Sequence, residues 1–112
     1  VADRLNAEWG ESRVLYISEF YRYPEVFEFL EEELGIVEPE SDGIHDDFVI
    51  SSVLMRLDPM LVRHPQRVAT GQASINGLSL EPIDEIIEIG RRLLAFRVEQ
   101  TVEAIHAARS RD

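Results

Sequence analysis

Apolar residues recur at helical spacing near the start of the chain. A four-residue spacing followed by Gly10 predicts a helix over residues 1–9. Its apolar positions are Val1, Leu5 and Trp9. Pro24 opens a second helix over residues 25–34, which Gly35 ends. The apolar face of this second helix consists of Val26, Phe27, Leu30 and Leu34.

Two further helices are predicted in the second half. The first begins at Asp46 or Asp47 and runs to about Leu57, where Asp58-Pro59 breaks it. Its apolar positions are Phe48, Val49, Val53, Leu54 and Leu57. Pro82 begins the longest helix of the chain. Its predicted buried stripe consists of Ile83, Ile86, Ile87, Leu94, Val98, Val102 and Ile105.

The run Arg13-Val-Leu-Tyr-Ile-Ser18 is apolar without alternation, which predicts a strand buried on both faces, as in a parallel sheet. Helix, strand and helix in succession indicate an α/β fold. One strand cannot make a sheet, so we expect the other strands outside this chain.

Residues 36–42 are predicted to form a surface loop. Residues 63–80 are predicted to form an extended loop with a tight turn at Asn76-Gly77, and such a loop often covers a site or contacts another subunit.

Charge and composition exclude several classes of function. The chain of 112 residues carries 22 acidic and 11 basic residues, a formal net charge of −11. A field of this sign repels nucleic acids and anionic membrane surfaces. All basic residues are Arg, which excludes Schiff-base lysine chemistry and P-loop phosphate binding. The chain has no Cys, so any metal site must use His, Asp or Glu, and a cytoplasmic location is expected. No apolar run is long enough to span a bilayer.

The segment His45-Asp46-Asp47 is the candidate centre of chemistry. A His that precedes a helix start can exchange protons near neutral pH, whereas Asp46 and Asp47 are also suited to capping the helix. Glu19 and Tyr21 follow the carboxyl end of the predicted strand, the usual functional edge of a parallel sheet. His64 is predicted to pack within its loop, and His106 to lie on the surface.

His45, Ser51-Ser52, Val53-Leu-Met55 and Leu57-Asp-Pro-Met-Leu-Val-Arg63 resemble a motif from the second half of the creatininase (creatinine amidohydrolase) family. That motif is His-Ala-Gly-x-x-Glu-Thr-Ser-Leu-Met-Leu-x-Leu-x-Pro-x-Leu-Val. The chain departs from it because Asp46-Asp47 replace Ala-Gly, Ile50 replaces Glu and Ser51 replaces Thr. These departures favour a divergent branch. The segment Ser74-Ile-Asn-Gly-Leu78 is similar to the dehydro-inosose hydrolases of the family.

The resemblance implies a C-terminal portion of a three-layer α/β domain with a mostly parallel sheet. On this interpretation residues 1–112 form one partial domain, mostly helical with one or few strands, whose N-terminal half is absent. The first residue, Val1, supports the same expectation.

The implied activity is metal-dependent hydrolysis of a small cyclic amide or cyclic keto-polyol by metal-activated water. His45 matches the family's catalytic histidine, and Asp46, Asp47, Glu19 and Tyr21 are supporting or substrate-binding candidates. Zinc or manganese would be bound mainly by residues outside this chain, so the chain alone is expected to be inactive. The expected partners are a small-molecule substrate, the missing half of the domain and further copies in a homo-oligomer.

Three alternatives stay open, and the first is a ring-opening hydrolase of the dehydro-inosose type. The chain could be a non-catalytic acidic helical module for interaction or oligomerisation, with Asp46 and Asp47 acting only as caps and the long helix pairing with another chain. It could also be a non-catalytic member of the same family, as Ile50 suggests.

Overall fold

A computed structural model describes residues 1–10, 13–39 and 47–110. The described residues are mostly helical, with one small two-stranded sheet, which confirms the predicted helical character. The α-helices are α1 (Ala2–Trp9), α2 (Tyr23–Leu34), α3 (Phe48–Leu57), α4 (His64–Ala69) and α5 (Ile83–Arg109). Short 3-10 helices span Ser18–Tyr21 and Pro59–Val62. The antiparallel strands are β1 (Ser74–Ile75) and β2 (Leu78–Ser79).

Local sequence signals account for most helix ends. Gly35 ends α2 at φ 67°, and the N–H groups of Gly35 and Ile36 donate to the carbonyls of Glu31 and Leu30. This bonding satisfies carbonyls that the helix itself leaves open, and the positive φ favours glycine. Asp58 ends α3, and its carboxylate accepts from Met60 N–H at 2.9 Å. The predicted ends of both helices are confirmed.

The chain folds as two compact units. Unit 2, Tyr23–Phe96, contains the hydrophobic core. Phe29 and Phe96 stack beside it with ring centroids 4.4 Å apart. The side chains buried in this core are Val26, Leu30, Phe48, Val49, Met55, Val62, Leu80, Ile86, Ile89 and Leu93. This contiguous apolar cluster is the main source of stability for the unit.

Helices α3 and α5 approach closely at Gly90. A Cβ built on Gly90 would lie 2.0 Å from the carbonyl oxygen of Ser52 and 3.1 Å from Cβ of Arg56. Only glycine allows this approach, because any side chain would overlap main-chain atoms of α3. The contact therefore determines which face of α5 points into the core.

Unit 1, Val1–Arg22 with Arg97–Asp112, has a different character. None of its described residues is buried. The Asn6 carboxamide bonds both main-chain groups of Val14: Nδ2 donates to the carbonyl at 3.0 Å, and Oδ1 accepts from N–H at 2.5 Å. Arg97 donates to the carbonyl of Phe20 at 2.8 Å and lies over its ring. Specific polar contacts, rather than an apolar core, organise this unit.

The strand predicted over Arg13–Ser18 is wrong. These residues form neither helix nor strand until the 3-10 helix begins at Ser18, and Tyr16 is 74% exposed. A strand needs a hydrogen-bonded neighbour, and here the Asn6 side chain supplies the bonding at Val14. β-propensity depends on packing and pairing, so an apolar run alone does not make a strand.

The loop predicted over residues 63–80 is correct only at its turn. Asn76 and Gly77 adopt φ 50° and 80° in the link between β1 and β2, as expected for an Asn-Gly hairpin turn. Helix α4 was not predicted. This helix is too short to show a periodic apolar pattern in the sequence. Pro65 lies in its first turn, and Nε of Arg67 donates to the carbonyl of Val62 at 2.9 Å.

The buried stripe predicted for α5 is largely wrong. Of its members only Ile86 is buried and Ile87 is half-buried. The buried positions are Ile86, Ile89, Gly90 and Leu93. The close approach at Gly90 turns this face toward α3. The predicted residues Ile83, Leu94, Val98, Val102 and Ile105 are exposed. Among the described helices, none is both long and apolar enough to cross a lipid bilayer.

Candidate functional site

Two carboxylates converge on the first turn of α3. Asp47 is the N-cap, as predicted, with φ −111° and ψ 166°, and its Oδ1 accepts from the N–H of Ile50 at 2.6 Å. Asp47 is 2% exposed. A carboxylate at this position satisfies a free main-chain donor and interacts favourably with the positive end of the helix dipole.

Glu38 supplies the second carboxylate. Its Oε1 accepts from the N–H of Phe48 at 2.5 Å and from Nδ2 of Asn76 at 2.8 Å. Its Oε2 is buried and has no hydrogen-bond partner within the described parts of the chain. Glu38 thus connects the segment after α2, the start of α3 and the hairpin turn. The free oxygen is an acceptor available to an added donor.

Sequence reasoning missed Glu38 and Asn76. Glu38 was placed in a surface loop, and Asn76 was assigned only a turn function. The contact joins positions that are 38 residues apart, and neither residue has a local pattern that indicates the other. Only the hairpin turn was predictable, since Asn-Gly is a strong turn signal.

Of the predicted site residues, His45 and Asp46 lie outside the described residues. In the sequence they immediately precede Asp47. The described arrangement offers carboxylate oxygens that could accept protons, bind substrate hydroxyls or hold an imidazole.

Glu19 and Tyr21 occupy the 3-10 helix Ser18–Tyr21 in unit 1, not the end of a strand. The Glu19 carboxylate pairs with Arg22 at 3.5 Å and accepts from the Ser18 hydroxyl at 3.4 Å. Tyr21 is 65% exposed and contacts Phe20 edge-on, with ring centroids 5.1 Å apart. Glu19 and Tyr21 are thus near each other, whereas Asp47 belongs to unit 2.

The two remaining histidines match their predicted structural roles. His64 is buried at the start of α4, and its Nε2 donates to the carbonyl of Leu80 at 2.8 Å. Because a carbonyl oxygen only accepts, this bond places a proton on Nε2. His106 is exposed in the last turn of α5.

Unit 2 also has an open cavity of about 290 Å³, separate from the predicted residues. It is lined by Glu33, Leu34, Ile36, Glu85, Glu88, Ile89 and Arg92. Arg91 donates to both oxygens of Glu88 at 2.6 and 2.8 Å, and this bonding lowers the pKa of the Glu88 carboxyl. The ion pair therefore stabilises the folded state at pH values above the pKa that Glu88 has in the unfolded chain. This stabilisation is lost as the pH falls through the lower pKa that Glu88 has in the folded protein.

Among the described residues, no group of three or more His, Asp or Glu side chains could hold a metal ion. Comparison with known proteins found no matching family model, no matching curated protein and no matching solved structure.

The cap makes a direct prediction. Replacing Asp47 with Ala should lower the free energy of unfolding by about 1 kcal/mol, because the N–H of Ile50 loses its acceptor. Asp47→Asn is the matched control, since Asn caps helices about as well as Asp, and it should retain most of that stability. Urea denaturation followed by circular dichroism measures both. Equal losses in the two variants would show that the charge, rather than the capping bond, is what matters.

Proposed function

We propose that this chain is part of a metal-dependent hydrolase of the creatininase type, from a divergent branch, that acts on a small cyclic amide or cyclic keto-polyol. The observation that carries the proposal is the pair of carboxylates, Asp47 and Glu38, bonded to the first turn of α3 directly after His45-Asp46. In this proposal residues 1–112 belong to a single three-layer α/β domain that is completed by further residues.

His45 has the role of acid or base. A helix N-terminus stabilises negative charge, and the adjacent carboxylates can orient an imidazole or accept a hydrogen bond from a substrate hydroxyl. Asp46 and Asp47 provide these acceptors in positions where the family motif has Ala-Gly. Acceptors of this kind suit a keto-polyol, which carries several hydroxyl donors, better than a plain cyclic amide.

Glu38 adds an acceptor at the same helix start. Its Oε1 is already engaged with Phe48 N–H and Asn76, while its buried Oε2 makes no bond within the described parts of the chain. A buried oxygen without a donor is costly, so a donor from substrate or from a neighbouring residue would stabilise it. The hydrolytic metal, zinc or manganese, would be bound mainly by residues outside this chain and would supply activation of the attacking water.

Turnover of a substrate panel tests the proposal. The complete gene product, purified without chelator and supplied with zinc or manganese, is assayed against creatinine, other cyclic amides and keto-inositols. We expect hydrolysis of at least one ring, with keto-inositols preferred, and loss of turnover after chelation. Absence of turnover on the whole panel with either metal would contradict the proposal.

A second candidate function, an interaction module, is favoured by one specific observation. Val98, Val102 and Ile105 lie on one face of α5 in unit 1 and are 52%, 44% and 36% exposed. Their spacing of four and three residues is that of a helix face that packs on a partner. If the panel shows no turnover, and Val102→Ser together with Val98→Ser removes an association that the unaltered protein shows, this module becomes the better explanation.

A further inference from the structure

Unit 2 exposes a group of apolar side chains where α3 ends and the 3-10 helix Pro59–Val62 begins. Leu57, Met60 and Leu61 are neighbours in the chain and are 66%, 52% and 56% exposed. Single exposed apolar residues are ordinary on a protein surface, whereas a group of neighbouring ones marks a site of interaction. Met55 and Val62 supply the buried side chains of the same two helices. Leu57, Met60 and Leu61, the corner patch, therefore face solvent rather than the core.

The corner patch lies in the basic part of an acidic chain. Residues 48–80 contain three arginines and one acid, a net charge of +2 in a chain of −11: Arg56, Arg63, Arg67 and Asp58. None of these arginines forms an ion pair within the parts of the chain that the structure describes. The Asp58 carboxylate is occupied by the N–H of Met60. The charge beside the patch is therefore positive, opposite to that of the whole molecule.

Arg63 is the arginine least engaged with the rest of the fold. Its guanidinium bonds no described residue, whereas Arg67 donates to two carbonyls and Arg56 contributes to lowering the pKa of Glu88. The main chain of Arg63 is left-handed, with φ 53° and ψ 43°. Glycine adopts this conformation without strain, and arginine does not. An arginine retained at a strained position indicates that its side chain is used.

We propose that the corner patch binds an acidic amphipathic helix of a partner protein. The apolar face of that helix covers the patch, and its carboxylates pair with Arg63 and Arg56. Charge complementarity selects this occupant, because a guanidinium binds a carboxylate through two parallel hydrogen bonds. Charges are screened beyond about 8 Å at physiological ionic strength, so a helix seated on the patch interacts with the arginines rather than with the distant acids. This inference does not depend on the proposed hydrolase activity.

Two other occupants are less compatible with the charges. An anionic lipid surface would also meet arginines and apolar side chains, but it extends beyond the patch and meets the acidic remainder of the chain. A second copy related by a two-fold axis would set patch against patch, with the same excess of arginine on both sides. A short acidic helix avoids both conflicts.

Fluorescence anisotropy with a synthetic helix tests the proposal. The probe is a fluorescein-labelled peptide with the repeat Glu-Leu-Glu-Glu-Leu-Leu-Glu, whose leucines share one face, and its control has Gln for every Glu. We expect the 112-residue protein to bind the acidic peptide saturably, less tightly as salt rises, and to bind the Gln peptide more weakly. Absence of saturable binding, or equal binding of both peptides, overturns the proposal. Tighter binding to phosphatidylserine vesicles, or self-association that Arg63→Gly abolishes, also overturns it.

Arg63→Gly separates binding from folding. Glycine suits the left-handed main chain, so the unfolding midpoint should be unchanged or raised. The affinity for the acidic peptide should fall about tenfold, because a hydrogen bond between charged groups is lost. Arg109→Ala removes the same charge from unit 1 and should leave the affinity nearly unchanged. Equal affinities in these two variants contradict the assignment of Arg63.

Leu61→Ser tests the apolar part of the patch. Its control is Val37→Ser, since Val37 is 63% exposed and adjoins Glu38, which bonds Phe48 at the opposite end of α3. The two ends of this ten-residue helix are about 14 Å apart. We expect Leu61→Ser to lower the affinity for the acidic peptide about tenfold and Val37→Ser to leave it unchanged. The same affinity in both variants overturns the proposal.

Discussion

Replacing His45 with Ala is expected to lower the turnover of the proposed hydrolase by about 10²–10⁴-fold, the usual contribution of a positioned acid or base. His45 precedes the cap residue Asp47, whose carboxylate bonds the first turn of α3. The substitution removes the imidazole and leaves that cap in place. We therefore expect the helix content and the unfolding midpoint to stay close to those of the unaltered protein.

His106→Ala is the matched control, because His106 is exposed in the last turn of α5 and has no role in the proposed chemistry. His64 is unsuitable, since its removal would leave the carbonyl of Leu80 without its donor in the core. Turnover of the best panel substrate measures both variants. Full turnover in the His45 variant would exclude His45 as the acid or base while leaving the fold unchallenged.

Replacing Gly90 with Ala is expected to lower the free energy of unfolding by about 2 kcal/mol, as overpacking in a well-packed core does. The added Cβ would lie 2.0 Å from the carbonyl oxygen and 2.6 Å from the carbonyl carbon of Ser52. These are main-chain atoms, so no side-chain rotation relieves the overlap, and α3 and α5 must separate. The separation loosens the packing of Ile86, Ile89 and Leu93.

Helix propensity acts in the opposite direction, since Ala is favoured over Gly by about 1 kcal/mol within a helix. Ala95→Gly at an exposed position of α5 measures this term alone and should cost about 1 kcal/mol. Urea denaturation of both variants separates the two effects. A Gly90→Ala protein that is more stable than the original would show that the helices do not approach as closely as described.

Local signals predicted the elements that depend on a few neighbouring residues. Gly35 ended α2 and Asp58-Pro59 ended α3 because a left-handed residue and a proline stop a helix whatever surrounds it. Asp47 capped α3 for an equally local reason, since its side chain reaches the N–H three residues ahead. The candidate site was predictable to this extent, with Asp47 at the helix start after His45.

Contacts between distant residues decided the rest. Glu38 joined the α3 start only because folding brought the Asn76 turn and the segment after α2 together. The same is true of the run at Arg13–Ser18, where the Asn6 side chain bonded Val14 in place of a neighbouring strand. Strand formation needs a partner that a sequence pattern does not reveal.

The sequence by itself determined where α1, α2, α3 and α5 lie and how three of them end, because helix periodicity, glycine stops and an N-cap carboxylate act over single turns. Only the tertiary structure decided which face of α5 is buried, because the approach of α3 requires the missing side chain at Gly90. It also decided that Glu38 lies beside Asp47 at one helix start. Packing depends on where main chains meet, and that is set by the whole fold rather than by any one segment.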